Sequence, residues 1–146
     1  MPLLMTIPRG GALSTLLETY RTQAEFLVVY LEEAHAKGEF GMGSKMSRNS
    51  RHTSIHDRIN AAKDLVALDK AYHGCLSEDV SDTSRVRVVV DTMDNSFTSR
   101  FDAFPDRVFI IHDDKVAFVG SDIMDQMEHP EQLMTDEVRE WLKERM

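Results

Sequence analysis

The sequence has little cysteine, proline or glycine. Its one cysteine, Cys75, excludes an internal disulfide, a CxxC redox pair and a cysteine-based zinc knuckle. With four prolines and seven glycines in 146 residues, a long disordered linker is not expected. A chain of this length can bury a core of its own, so we expect one domain over residues 1–146.

Basic residues are also scarce, because 17 lysines and arginines stand against 25 acidic residues and give a net charge of −8. This balance argues against non-specific nucleic-acid binding and against docking on anionic lipid. No apolar run approaches the roughly 20 residues that cross a bilayer, and the first residues, MPLLMTIPRGG, make a poor signal peptide. We therefore expect a cytoplasmic protein with no nucleic-acid partner and no membrane segment in this chain.

Helical and strand patterns alternate along the chain. The predicted helices cover about 11–23, 53–72 and 135–146, and the predicted strands cover 26–31, 86–91, 108–111 and 116–119. Thr53 or Ser54 can cap the second helix and Thr135 the last, whereas 73–85 and 125–131 are predicted as polar loops. The order predicts an α/β fold with parallel strands, helices on both faces and a C-terminal β-hairpin at the edge of a mixed sheet.

This order matches the thioredoxin fold with its first strand missing. Pro105 lies just ahead of the predicted hairpin, and a closing helix follows the hairpin, as at the cis-proline corner of thioredoxin-like proteins. An ordinary trans bond is the alternative, because only about 5–6% of X–Pro bonds are cis. Phe104, which precedes it, could offer an aromatic wall to a ring substrate or could belong to the core.

Four stretches in register point to a narrower family. FLVVYLEEAH, HDRINAA, VVVDTMDNS and FPDRVFII together resemble the catalytic domain of the iodothyronine deiodinases over about residues 13–120. The resemblance implies a thioredoxin-like selenoprotein fold and an oxidoreductase that removes iodine from thyroxine-like iodinated phenols. The expected partner is therefore a small aromatic substrate.

The resemblance also implies site residues. Glu33 and His35 fall on the family's catalytic positions at the end of the first predicted strand, and His52 matches its second active-site histidine. Tyr30 matches a position beside them and, with Phe104 and Pro105, is predicted to bind substrate. The placement is physically reasonable, because ligand sites of open α/β sheets lie at the carboxyl ends of the strands.

The family's nucleophile, a selenocysteine ahead of the first helix, has no counterpart in this sequence. PLLM at residues 2–5 resembles the end of the family motif, which would place Met1 at or next to the nucleophile position. We therefore expect an N-terminal truncation, either natural or caused by reading a selenocysteine codon as a stop. No bound cofactor is expected, and the intact family member would use an external thiol reductant. Cys75 lies in a predicted polar loop and is interpreted as structural or solvent-facing.

Several alternatives remain open at this point. His52 and His56 are four residues apart and, with Glu33 and His35, could bind zinc, but the pattern lacks the glutamate of a metalloprotease helix, and we expect no metal. The chain could instead be a catalytically silent thioredoxin-fold binding module. An uncovered sheet edge could also support a homodimer.

The residues after Gly120 differ from those expected for binding a thyroxine-like substrate. The family often has a glycine-rich, basic stretch after the position of Gly120, which could help bind the hormone's carboxylate. This chain has Ser121 and Asp122 there, and an acid would repel a carboxylate.

Overall fold

The computed structural model describes residues 11–38 and 49–146. The described helices are α1 (Ala12–Tyr20), α2 (Ile55–Tyr72), α3 (Ser96–Phe101), α4 (Ile123–Glu128) and α5 (Met134–Arg145). The described strands are β1 (Leu27–Tyr30), β2 (Leu76–Ser77), β3 (Val86–Val90), β4 (Phe109–His112) and β5 (Lys115–Val119). The α/β class and the thioredoxin-like order of elements are confirmed.

Two small sheets contain these strands. In the first, β3 lies between β1 and β2 and runs parallel to both, with Tyr30 opposite Val90. In the second, β4 and β5 pair antiparallel across a two-residue turn. Both turn residues, Asp113 and Asp114, have positive φ values of 50° and 58°, a conformation that suits the twist of a tight hairpin.

Helix α2 covers one face of the parallel sheet. The Ser54 hydroxyl caps it by accepting a hydrogen bond from the N–H of Asp57. The Asp57 carboxylate in turn accepts the N–H of Ser54, which completes a capping box. The apolar stripe of α2 then buries Ala62 and Leu65 against the sheet. The core cluster on this side comprises Leu17, Ala62, Leu65, Cys75, Leu76, Val86 and Val88.

A second core cluster joins α1, α5 and the hairpin. Leu16 of α1 packs with Val138 and Leu142 of α5, and Val108 and Ile110 close the cluster from the hairpin side. Helix α1 therefore belongs to both cores, because Leu16 and Leu17 are buried in different clusters.

An apolar cavity of about 710 Å³ lies between the two sheets. Residues of β1 and of β4 both line it, and α1 and α5 contribute Leu16, Val138 and Leu142. Within residues 11–38 and 49–146, neither the β1 edge away from β3 nor the β4 edge away from β5 is paired with a strand. The described strands thus form two sheets, and the hairpin is not at the edge of one continuous mixed sheet as predicted.

Two segments predicted as loops contain regular structure. β2 lies within 73–85, where two residues are too few to give a periodic signal, although Leu76 is fully buried. α4 overlaps the first part of 125–131 and is capped by the carboxylate of Asp122, but none of its residues is buried. The predicted cap of the last helix was wrong, because α5 begins at Met134 and Thr135 lies inside its first turn.

Two sequence features lie outside the described residues. They are the motif PLLM at residues 2–5 and most of the stretch at 36–51, whose glycines, serines and basic residues predict a long loop. Among the helices that the structure describes, none combines the length and the apolar character needed to cross a membrane.

The buried carboxylate of Asp69 holds the turn between α2 and β2. Its Oδ2 accepts the N–H of Leu76 at 2.8 Å, and its Oδ1 accepts the thiol of Cys75 at 3.3 Å. Burial, reinforced by Asp69, raises the pKa of the Cys75 thiol to about 12. Cys75 is therefore a protonated structural residue rather than a nucleophile.

Replacing Asp69 by alanine should destabilise the fold. The N–H of Leu76 would be left buried without an acceptor, which costs about 2–3 kcal/mol in the free energy of unfolding. Urea denaturation of Asp69→Ala would measure it. The matched control is Asp64→Ala, an exposed acid on the same helix, which should change the value by no more than about 0.5 kcal/mol. Equal effects of the two substitutions would contradict this role for Asp69.

Candidate active site

The carboxyl ends of β1 and β3 meet at one edge of the parallel sheet. Tyr30 is the last residue of β1, and its carbonyl accepts the N–H of Asp91, the first residue after β3, at 2.9 Å. The side chain of Asp91 is buried and accepts the N–H groups of Phe97 and Thr98, which fixes the start of α3. Asp91 is thus a structural residue of this edge.

Tyr30 and Glu33 form a hydrogen-bonded pair just beyond this edge. The Tyr30 hydroxyl donates to Oε1 of Glu33, and Nδ2 of Asn49 donates to the same oxygen at 3.2 Å. Burial and the neighbouring carboxylate raise the pKa of Tyr30, so its phenol stays protonated and acts as a donor. Glu33 is held on two sides, and only 6% of its side chain is exposed.

His52 faces this carboxylate from the segment that precedes α2. Its Nε2 lies 3.7 Å from Oε1 of Glu33, and its side chain is only 2% exposed. Burial lowers the pKa of His52, Glu33 opposes this effect, and the cation of Arg58 adds to it. Nε2 has no hydrogen-bond partner among the described residues. The ring is therefore neutral at pH 7, and its buried Nε2 faces Glu33 without a hydrogen bond.

Arg58 contacts the other nitrogen of the same ring. Its Nε donates to Nδ1 of His52 at 3.3 Å from the second turn of α2. Arg58 was not predicted as a site residue from the sequence. A signal was present, because Arg58 lies three residues after Ile55 and four before Ala62 and so falls on the apolar stripe of the helix.

The other predicted site residues lie close by in sequence or along the cavity. His35 is half-buried in the turn two residues beyond Glu33. The Phe104–Pro105 bond is cis, and Pro105 lines the cavity between the sheets. Phe104 is 44% exposed and is not among the described residues that line this cavity. The roles assigned to these residues stay predictions.

A group of three phenylalanines forms an aromatic wall of the cavity. Phe97 and Phe101 of α3 stack at 4.6 Å between ring centroids, and Phe109 of β4 meets Phe101 edge-on at 5.3 Å. Sequence reasoning missed this wall, because the three residues belong to two elements whose packing it did not specify. The signal available was the i, i+4 spacing of Phe97 and Phe101.

Metal binding can be assessed from the same geometry. Within the described part of the chain, no group of three histidine, cysteine, aspartate or glutamate side chains is arranged to hold a metal ion. His56, which could have joined His52 in such a site, is exposed in the first turn of α2.

The lowered pKa of His52 has a consequence for stability. The unfolded chain takes up a proton at this histidine near the ordinary value of about 6.5, whereas the folded chain does so only at lower pH. The free energy of unfolding should therefore fall as the pH is lowered from above this value toward the lowered pKa. Denaturant unfolding between pH 5 and pH 8 would measure the loss, and His52→Gln should remove that part of the dependence.

The matched variant for this measurement is His56→Gln, which removes an exposed imidazole four residues further along. It should leave the contribution of His52 in place. If His52→Gln, like His56→Gln, kept the pH dependence of the free energy of unfolding seen for the unsubstituted chain, the lowered pKa of His52 would be contradicted.

Comparison with known proteins agrees with this geometry. The family model described as iodothyronine deiodinase matches residues 5–146. The chain is 29% identical to the type I iodothyronine deiodinase of Xenopus laevis over 112 residues, which are 77% of this chain and 38% of the relative. It is 29% identical to the thyroxine 5-deiodinase of Sparus aurata over 136 residues, which are 93% of this chain and 43% of the relative.

The thyroxine 5-deiodinase of Homo sapiens is 27% identical over 135 residues, which are 92% of this chain and 38% of the relative. The chain thus spans about two fifths of the length of these curated relatives. The match of the family model covers both sheets, all five described helices and the edge that carries Tyr30, Glu33 and His52. The chain therefore belongs to the iodothyronine deiodinase family.

Proposed function

We propose that this chain is the histidine-bearing part of a reductive deiodinase that acts on iodinated phenols. The observation that carries the proposal is the buried group of Tyr30, Glu33 and His52 at the carboxyl edge of the parallel sheet. Burying this group costs free energy, because Nε2 of His52 has no partner among the described residues, and unpartnered buried polar atoms of this kind are typical of functional sites.

The proposed reaction replaces a carbon–iodine bond by a carbon–hydrogen bond. A selenolate or thiolate attacks iodine, the C–I bond breaks, and the carbon keeps the electron pair and takes up a proton. Two equivalents of an external thiol then reduce the selenium–iodine or sulfur–iodine bond, releasing iodide and a disulfide. The reaction therefore needs a nucleophile, a reductant, a proton for the carbon and a hydrogen-bond donor to the phenol or its iodine, of which this chain would supply the last.

His52 is the residue of this chain best placed to act on the substrate. Its ring is neutral, and Nε2, which is buried beside Glu33, has no hydrogen-bond partner among the described residues. The N–H group at this nitrogen could donate a hydrogen bond to the phenol or its iodine, while the proton for the carbon comes from solvent. Glu33 would stabilise the positive charge when the ring is protonated, since its carboxylate lies 3.7 Å away. Tyr30 and Asn49 hold that carboxylate in place.

The nucleophile would come from a segment ahead of α1. Cys75 does not qualify, because its thiol is buried, bonded to Asp69 and carries a pKa of about 12. The cavity between β1 and β4 supports this view. A strand that enters it and leads into α1 would run parallel to β1, by the right-handed β–α–β connection, and would end at the same edge as Tyr30.

Two observations support a substrate class: the aromatic lining of the cavity and the acidic residue at position 122. Aromatic side chains line the cavity near α3, which suits a phenol ring. Asp122 stands where the family often has basic residues, and its carboxylate caps α4 by accepting the N–H groups of Met124 and Asp125. We therefore propose iodinated phenols as the substrate class, with those lacking a carboxylate preferred over thyroxine.

The test extends the chain at its N-terminus by the segment encoded immediately upstream, with cysteine in place of any selenocysteine. With dithiothreitol as reductant, the extended protein should release iodide from triiodophenol, and faster than from thyroxine. Within it, His52→Gln should lower kcat about 10²-fold or more, because the positioned hydrogen-bond donor is lost. Iodide release would be measured against the unextended chain, which should be inactive.

The matched control is His129→Gln in the extended protein, since His129 is exposed in the C-terminal region. It should keep the activity of the extended protein. A folded extended protein that releases no iodide from either compound would overturn the proposal. Retained binding of triiodophenol in that case would favour the alternative, a thioredoxin-fold binding module without catalysis.

A further inference from the structure

Arg58 is a buried cation with an unusual set of partners. It is only 2% exposed and is among the largest fully buried side chains of the described chain. A buried guanidinium is costly unless its donors are bonded, and a carboxylate is its usual partner. Among residues 11–38 and 49–146, however, no carboxylate oxygen forms a salt bridge with it. Its described hydrogen bonds go to a ring nitrogen and two carbonyl oxygens.

These bonds connect Arg58 of α2 to two other segments. Nε donates to Nδ1 of His52 at 3.3 Å, on the segment before α2. Nη1 donates to the carbonyl oxygens of Asp91 at 3.1 Å and Thr92 at 2.7 Å, immediately after β3. The guanidinium therefore fixes the histidine ring relative to the sheet edge at which Tyr30 also ends.

The direction of the bond to His52 determines the tautomer of the ring. Arginine has five N–H donors, no acceptor, and does not lose its proton in proteins. Nδ1 must therefore accept with its lone pair, and the single proton of the neutral imidazole must be on Nε2. Nε2 is the nitrogen that faces Glu33 and has no partner in the described part of the chain.

We infer that Arg58 is a positioning residue for His52, which keeps the imidazole proton on Nε2 and directs that N–H into the site. The inference rests on the proposed function for its catalytic consequence, but the tautomer itself can be tested without any activity. The two carbonyl bonds connect α2 to the sheet edge, whereas the bond to Nδ1 also selects the tautomer of the histidine ring.

The charges around His52 come from both elements that pack against it. Glu32, Glu33 and the half-buried phenol of Tyr30 face it from the end of β1, and Asp57 and Arg58 face it from α2. The two glutamates and Asp57 favour a protonated ring, whereas the cation of Arg58 disfavours it. Loss of this cation should therefore raise the pKa of His52.

The test follows the two ring nitrogens of His52 by ¹⁵N NMR across a pH titration of the chain. The unsubstituted protein should hold its proton on Nε2 in the neutral form. In Arg58→Met, which keeps length but removes charge and donors, the pKa of His52 should move upward and the Nδ1–H tautomer should become detectable. Arg58→Lys keeps the charge and should raise the pKa less. The matched control, Arg100→Met, changes an exposed arginine of α3 and should leave both properties unchanged.

Activity gives a second readout in the N-terminally extended protein. There Arg58→Met should lower kcat about tenfold or more while KM stays within about twofold, because the donor is misdirected but substrate contacts remain. The acid limb of the pH profile should move upward with the pKa of His52. These two arms are independent, so an extended protein without deiodinase activity would overturn the proposed function and leave the NMR result to decide on Arg58.

Three results would overturn the inference. One is a folded Arg58→Met variant with the same His52 tautomer and pKa as the unsubstituted chain. Another is a variant with a changed tautomer but an unchanged kcat. If Arg58→Met does not fold, the unsubstituted chain still decides, because an N–H···N hydrogen bond transmits a scalar coupling between its two nitrogens. A coupling between Nε of Arg58 and Nδ1 of His52 supports the inference, and its absence contradicts it.

Discussion

Backbone hydrogen bonding along two strand edges is the constraint on which this architecture depends. Every peptide group of a strand needs a partner, and β1 and β4, each with one edge unpaired among the residues that the structure describes, line the same apolar cavity. The helices divide accordingly. α2 covers the parallel sheet, α5 covers the hairpin, and α1 contributes Leu17 to one core and Leu16 to the other. Helix α1 therefore connects the core of the parallel sheet with the core of the hairpin, and a strand paired with both edges would connect them further.

The same constraint explains why the polar group lies where it does. Parallel strands end together, so Tyr30, Asp91 and the residues just after them share one edge of the sheet. Their loops need side-chain partners for their backbone groups, and Asp91 and Arg58 meet that need by bonding N–H groups and carbonyl oxygens, respectively. With the backbone satisfied, Glu33 is held by Tyr30 and Asn49, and its carboxylate faces the imidazole of His52 at 3.7 Å.

Sequence reasoning reached the fold class because the periodic signals of α1, α2, β1 and β3 are long, and because the hairpin is flanked by apolar runs. It missed β2, whose two residues take their pairing from β3, and α4, which is exposed and held by its cap. It identified Glu33 and His52 through motifs, but it could not identify Asn49. Asn49 reaches Glu33 from 16 residues away, and no local pattern encodes that contact. Arg58 was visible as a charge on an apolar stripe, but its three acceptors lie on other segments.

The bond between Cys75 and Asp69 has a practical consequence for chemical labelling. Alkylating reagents react with thiolates, and a buried thiol with a pKa of about 12 presents almost none at neutral pH. Cys75 is also the only cysteine of the sequence. In the folded state, therefore, an electrophilic probe would modify a cysteine placed ahead of α1 without a competing reaction, so the accessibility of that residue could be followed in the otherwise unaltered protein.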